Sequence, residues 1–162
     1  MLHIRDAAIT DLSAMLDIYN EAIRNLTATF DLEEQTMDQR MEWYEEHSGK
    51  YPFIVAELEG KVVGYSCLSK FRDKEAYSYS TELSIYISSE CRGQGVGGQL
   101  MQEIVRLARK DGYHSIISGI TGGNEASVKL HKKFGFEFIG CFKEVGYKFG
   151  QWQDVHFYQL ML

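Results

Sequence analysis

A chain of 162 residues, 44% hydrophobic and 25% charged, is long enough to bury a core and reads as one globular domain over residues 1–162. Its net charge of −6 argues against a nucleic-acid partner held on a broad basic face. No stretch approaches the roughly 18 apolar residues of a membrane span, and Met1 to Asp6 lack the apolar run of a signal peptide. The expectation is a cytoplasmic protein with no membrane partner. Cys67, Cys91 and Cys141 are odd in number and far apart, which fits free thiols in a reducing compartment.

Ile4 and Ala7-Ala8 suggest a short first strand. Thr10 or Asp11 can cap a helix whose Leu12, Met15, Leu16, Tyr19, Ala22 and Ile23 form one apolar stripe. Thr36-Met37-Asp38-Gln39 is a capping box, and it predicts a second helix to about Glu46. Phe53 to Leu58 and Lys61 to Leu68 flank Glu59-Gly60 as a hairpin. Thr81 to Ile87 reads as a strand, Gln99 to Ala108 as an amphipathic helix, and Ser115 to Ile120 as a short buried strand. Asn124 to Phe134 predicts a helix stopped by Gly135, followed by strands over Phe136 to Lys143 and Asp154 to Leu162. This order predicts a mixed α/β fold with one central sheet, not a regular βαβ alternation.

The run Arg92-Gly93-Gln94-Gly95-Val96-Gly97-Gly98 lies between the Thr81 strand and the Gln99 helix. A strand, a glycine turn and a helix start form a bed of N–H groups with no partner inside the helix. The helix dipole adds partial positive charge there, so the bed suits an anion, most often a phosphate. Arg92 adds a full charge at its edge. Gly93-x-Gly95-x-x-Gly98 also matches the dinucleotide fingerprint, but that motif expects an early βαβ unit and an acidic residue closing the next strand. Here the next strand ends in Ile120-Thr121-Gly122-Gly123-Asn124. A P-loop would need Gly-Lys-Ser/Thr, which is missing. A tight turn that binds nothing needs fewer glycines than are present. Cys91, beside the loop, is either a reactive thiol or an ordinary loop residue. His3, His47, His114 and His156 share no metal-like spacing, so no metal is expected.

With its surroundings, the loop resembles the acetyl-CoA site of the GNAT N-acetyltransferase superfamily, whose signature is Arg/Gln-x-x-Gly-x-Gly/Ala between a strand and a helix. Asn124-Glu125-Ala126-Ser127 through Leu130-His131 to Gly135-Phe136 is similar to that family's second signature. Thr27-Ala28-Thr29-Phe30, Glu82 to Ile87 and Val145 to Asp154 narrow the resemblance to the phosphinothricin and methionine sulfoximine N-acetyltransferases. The tail segment is the most specific of these, and the similarity spans essentially the whole chain.

The resemblance implies a mostly antiparallel sheet with a splayed parallel pair, helices on both faces, and acetyl transfer by direct attack of a primary amine. It implies that Gly93, Gln94, Gly95, Val96, Gly97 and Gly98 clasp the CoA pyrophosphate, with Arg92 adding charge. The backbone of Ile85, Tyr86 and Ile87 would meet the pantetheine amides, Asn124 would reach the same arm, and Lys133 would sit near the cofactor. Glu82 is the candidate base; a salt-bridge or exposed-edge role is its plainer alternative. His131 would be acid, base or only a hydrogen-bonding residue. Phe30, Arg72, Glu75, Ala76 and Tyr77 would face the acceptor, where Lys74 and Ala76 depart from the usual pattern. A homodimer is expected. Other acceptors (a polyamine, an aminoglycoside, a protein N-terminus) and a non-catalytic CoA-binding module stay open.

Overall fold

The computed structural model describes residues 1–162. Seven strands form one sheet: β1 (Leu2–Asp6), β2 (Phe53–Leu58), β3 (Lys61–Lys70), β4 (Ser80–Ile87), β5 (Ser115–Thr121), β6 (Glu137–Lys148) and β7 (Gln151–Met161). Their spatial order is β1-β2-β3-β4-β5-β7-β6, and only β4 and β5 run parallel. Helices α1 (Leu12–Asn25) and α2 (Met37–His47) cover one face, and α3 (Val96–Lys110) and α4 (Glu125–Lys133) pack on the other.

Each face has its own core. Leu100, Met101 and Ile104 of α3 are fully buried against Ile54, Leu68, Leu83 and Ile116. Truncating one such side chain to Ala costs roughly 2–5 kcal/mol. On the other face Leu12, Met15 and Ile18 of α1 pack on Phe53, Val55, Tyr65 and Cys67. The period-2 alternation of β4 therefore holds: Leu83, Ile85 and Ile87 face α3, while Tyr86 packs in the α1 core. Glu82 and Ser84 share Tyr86's side by the same alternation.

Three readings of local structure need correction. The first strand ends at Asp6, before Ala7-Ala8. The Asp11 carboxylate does not cap α1; it accepts from the Ala8 N–H at 2.7 Å and from Arg5 at 2.8 and 2.9 Å, closing the short 3-10 turn before the helix. The last two strands are longer than predicted and form a continuous hairpin over Tyr147 to Trp152. Phe149 (φ 56°) and Gly150 (φ 71°) make its two-residue turn, which requires positive φ at both positions and is hard to foresee with Phe at the first. A bulge between Phe142 and Gly146 interrupts the pairing, with Glu144 at φ 49° and its N–H donating to Asp154 Oδ1 at 2.7 Å.

Candidate active site

The parallel pair lasts only three residues: Ser80, Thr81 and Glu82 stand beside Ser115, Ile116 and Ile117. Beyond Glu82 the two strands part. β3 keeps β4 through Ile87, and β7 keeps β5 through Thr121, so each splayed strand retains one partner. The gap becomes a cleft of about 490 Å³ between the two cores. The Ser88 N–H donates to Val63 O at 2.8 Å, so residue 88 faces β3. The two-residue period then turns the backbone of Ser84 and Tyr86 toward β3, and that of Ile85 and Ile87 into the cleft. Tyr86 therefore offers no backbone group to a ligand. Its ring lines the cleft and its hydroxyl reaches the Ala28 carbonyl at 3.5 Å.

At the far end of β4 a 3-10 turn, Ser89–Cys91, leads into the glycine loop. Gly93 (φ 75°) and Gly95 (φ 83°) are left-handed, and α3 starts directly at Val96. Gly97 and Gly98 thus belong to the first helical turn. A Cβ on Gly97 would lie 3.1 Å from Ile87 Cδ1 and 3.2 Å from Leu130 Cδ2, so its smallness lets α3 approach β4 and α4 closely. Backbone N–H groups from Arg92 to Gly98 find no acceptor within the protein; the first satisfied one is Gln99, bonded to Gly95 O at 3.2 Å. This is an unfilled anion bed at a helix N-terminus, and it fits a pyrophosphate. Val96 contributes only its N–H, because its side chain is in the core. Gln94 turns back to donate to Glu90 O at 3.2 Å. The Arg92 guanidinium lies 3.6 Å from Glu21, and donates to Ile87 O at 3.4 Å.

Glu82 lines the cleft where the strands part. Its carboxylate has no ion pair and no hydrogen bond, so the salt-bridge alternative fails. Glu82 is nevertheless exposed to solvent, as its exposed-edge alternative expected. Desolvation by the protein around it pushes its carboxyl above the usual carboxylate range. His131 is buried on α4. Its Nδ1 lies 2.7 Å from Ser127 O, a carbonyl that can only accept, so Nδ1 carries the proton. Nε2 then accepts from the Ser118 hydroxyl at 2.8 Å. The ring stands edge-on to Phe136, 4.9 Å between centroids. Burial lowers its pKa and the Ser127 bond opposes this, leaving a neutral imidazole at pH 7. Asn124 lines the cleft and caps α4, its Oδ1 accepting from Ser127 N at 3.3 Å.

A model of the acetyltransferase (GNAT) domain matches residues 4–157. The chain belongs to the GNAT acetyltransferase family. The L-methionine sulfoximine/L-methionine sulfone acetyltransferase of Pseudomonas aeruginosa is 38% identical over 161 residues, covering 98% of this chain and 94% of that protein. A phosphinothricin acetyltransferase from Sinorhizobium meliloti, solved in complex with acetyl-CoA, superposes with TM-score 0.97 at 36% identity, covering 99% of this chain and 88% of the other. The ribosomal-protein-alanine N-acetyltransferase structure from Brucella melitensis has TM-score 0.97 and 42% identity over 99% and 98% of the two chains.

Several residues of this GNAT chain that the sequence placed in the site lie outside the cleft. Lys133 is exposed at the end of α4, its Nζ 6.0 Å from the Phe134 ring. Arg72, Glu75, Ala76 and Tyr77 are exposed on the connection from β3 to β4. The Arg72 guanidinium stands 4.9 Å over Phe71 and 5.8 Å from the Tyr77 ring centre, with no carboxylate partner, so it is available to an anionic group. Phe30 lies against the β6–β7 hairpin: a Cβ on Gly146 would come within 2.5 Å of its ring. Sequence reasoning missed Ser118, Thr121, Leu26 and Ala28, all of which line the cleft. The first two belong to a segment that reads only as a buried strand; Ala28 stands in the Thr27 to Phe30 segment but carried no role there, and nothing local marks Leu26. Cys91 is partly buried and also lines the cleft. Cys141, Asp154 and His156 come within 4.8 Å of one another across β6 and β7, a cross-strand cluster invisible to spacing along the chain. Its Asp154 is already engaged by the Glu144 N–H.

Proposed function

We propose that this chain transfers acetyl from acetyl-CoA to the primary amine of a small amino-acid-like acceptor of methionine sulfoximine, methionine sulfone or phosphinothricin type. The observation that carries this reading is the cleft itself: free N–H groups at one end, an unpaired carboxylate at the other, and an open strand edge between. Arg92 to Gly98 hold the pyrophosphate, and Arg92 leaves Glu21 to join them. Ile85 and Ile87 pair with the pantetheine amides as a neighbouring strand would, and the Asn124 amide nitrogen, free of its capping role, donates to the same arm. Acetyl-CoA supplies a thioester whose carbonyl carbon is open to attack.

Glu82 takes the proton of the incoming ammonium, directly or through one water. Its raised pKa makes it a stronger base than an ordinary carboxylate. The Ile85 N–H, facing the cleft, stabilises the oxygen that gains charge. Ser118, oriented by His131, hydrogen-bonds the departing sulfur. Arg72 binds the acceptor's carboxylate or phosphinate, and Phe30 and Tyr77 flank its side chain.

The exposed apolar surface of the β6–β7 hairpin, including Phe142, Tyr147 and Trp152, supports a homodimer. The three free thiols support a cytoplasmic setting. The relative from Brucella melitensis keeps a protein N-terminal acceptor as the second reading. A turnover screen with acetyl-CoA and free-thiol detection tests both, using methionine sulfone, methionine sulfoximine, phosphinothricin, a polyamine and an alanine-terminated peptide. Saturable turnover of the amino-acid analogues alone is expected. Preference for the peptide would favour the second reading, and cofactor binding without turnover of any amine would leave a non-catalytic module.

A further inference from the structure

Two sequence segments that single out this branch of the family, Thr27 to Phe30 and Val145 to Asp154, lie some 120 residues apart and are one structural unit. Residues 26–36 have no regular secondary structure, so their carbonyls lack a ladder. Side chains from other elements replace it. Lys148 Nζ donates to Leu26 O at 2.7 Å and to Thr29 O at 2.8 Å. Thr121 Oγ1 donates to Thr27 O at 2.7 Å, and the Tyr86 hydroxyl points at Ala28 O. Four consecutive carbonyls are thus held by side chains of β4, β5 and β6. Lys148 alone takes two of them.

Lys148 is 3% exposed and has no carboxylate partner within ion-pair distance. A buried ammonium without a counter-ion is costly unless its protons are all used. Here two go to carbonyls, and the Phe149 ring lies 5.0 Å away. That desolvation holds its pKa below the usual lysine range, with Asp31 opposing the shift. Its location explains what the cost secures. Leu26 and Ala28 form part of the cleft wall on the α1 side, the side of Glu82. Phe30 is seated on Gly146, two residues before Lys148 on the same strand.

We infer that Lys148 is a positioning residue for the acceptor: it fixes the Leu26–Phe30 loop as one wall of the acceptor site and ties that wall to the β6–β7 hairpin. The inference rests on the proposed acetyl transfer to a small amine. The glycine loop and the open edges of Ile85 and Ile87 are held by α3, by β3 and by Glu21 of α1, none of which Lys148 hydrogen-bonds. Loss of the ammonium should therefore be felt by the acceptor and not by the cofactor.

The test compares Lys148→Met with the parent, using acetyl-CoA and whichever amine of the screen the parent turns over fastest. At least a tenfold rise in acceptor KM is expected, with the calorimetric Kd for acetyl-CoA within twofold of the parent. Equal acceptor KM in variant and parent would overturn the inference, as would parallel loss of acceptor and cofactor binding. Lys148→Gln keeps an uncharged N–H donor group on a side chain one atom shorter, and should give an intermediate KM. It decides the matter if the Met variant does not fold. Failure of the parent to turn over any amine would instead strike the proposed function.

Discussion

Replacing Glu82 with Gln removes the charge and keeps the shape. Because the carboxylate has no ion pair or hydrogen bond to lose, the change should leave stability within about 0.5 kcal/mol, as at other accessible sites. The effect on rate should be large. An acceptor amine with pKa near 8 is about nine-tenths ammonium at pH 7, so exposing its lone pair costs about 1.4 kcal/mol before attack begins. A positioned base also assists during attack, and such assistance contributes typically 10²–10⁴-fold. We expect kcat at pH 7 to fall by roughly that factor, with the acetyl-CoA Kd unchanged. The pH profile separates this from a steric effect. In the parent, desolvation raises the Glu82 pKa, so activity should fall as pH drops through a value above the ordinary carboxylate range. In the variant that limb should vanish, leaving a rate that climbs with the neutral fraction of the amine and recovers about tenfold between pH 7 and 9. Continuous thiol release from pH 5 to 9.5 measures both. Equal rates in variant and parent at pH 7 would remove Glu82 from the mechanism.

Gly95→Val places a β-branched residue at φ 83°, at a strain of roughly 1–2 kcal/mol. No protein atom lies within 4 Å of its Cβ, which would project into open space beside the anion bed. Acetyl-CoA affinity should fall at least tenfold by calorimetry, and an unchanged Kd would contradict the clamp. The lowered His131 pKa means the unfolded chain takes up a proton near pH 6.5 that the folded chain refuses. Stability should therefore drop as pH falls below about 6.5, and level off below the folded value. Urea midpoints at pH 8 and 5.5 should differ more in the parent than in His131→Gln, and equal differences would refute the shift. Ser118→Ala and His131→Gln should each slow turnover, and the double variant should be no slower than the worse single one, since paired residues act as a unit. A double variant whose loss is the product of the two would separate them.

Much of the fold was legible because its signals are local. The apolar stripe of α1, the Thr36 box and the Glu59-Gly60 turn each act within a few residues, and the structure has them all. The anion bed was legible for the same reason: consecutive glycines before an amphipathic stretch dictate backbone geometry without distant help. The acceptor side was not. Its wall depends on Lys148 reaching back to Leu26 and on Phe30 packing against Gly146, contacts between segments that no periodicity links. The neutral state of His131 was hidden likewise, because it comes from burial that only the packed fold creates. Arg92 reads as a free charge in the sequence, and only folding reveals Glu21 on α1 as its partner.

The alternation of side chains along the strands puts the two candidate proton-transfer groups on opposite faces of the sheet, and the splay opens both to one cleft. Glu82 belongs to the face of β4 that carries Tyr86 and meets α1. Ser118 lies between Ile116 and Ile120, whose side chains face the α3 core, and its hydroxyl meets His131 on α4. The two groups thus open into one cleft from opposite sides of the sheet. In the proposed reaction nitrogen and sulfur are bonded in turn to the same carbon and leave or arrive in different directions, so a single side chain cannot serve both well. A carboxylate with a raised pKa suits taking a proton from nitrogen. A hydroxyl donating into a neutral imidazole can turn its proton toward a sulfur that gains charge, while Ser127 O steadies the ring. The parallel pairing of only three residues is what makes this division possible. Had β4 and β5 stayed paired to their ends, Glu82 and Ser118 would be screened from one another by the sheet, and neither could reach a common ligand.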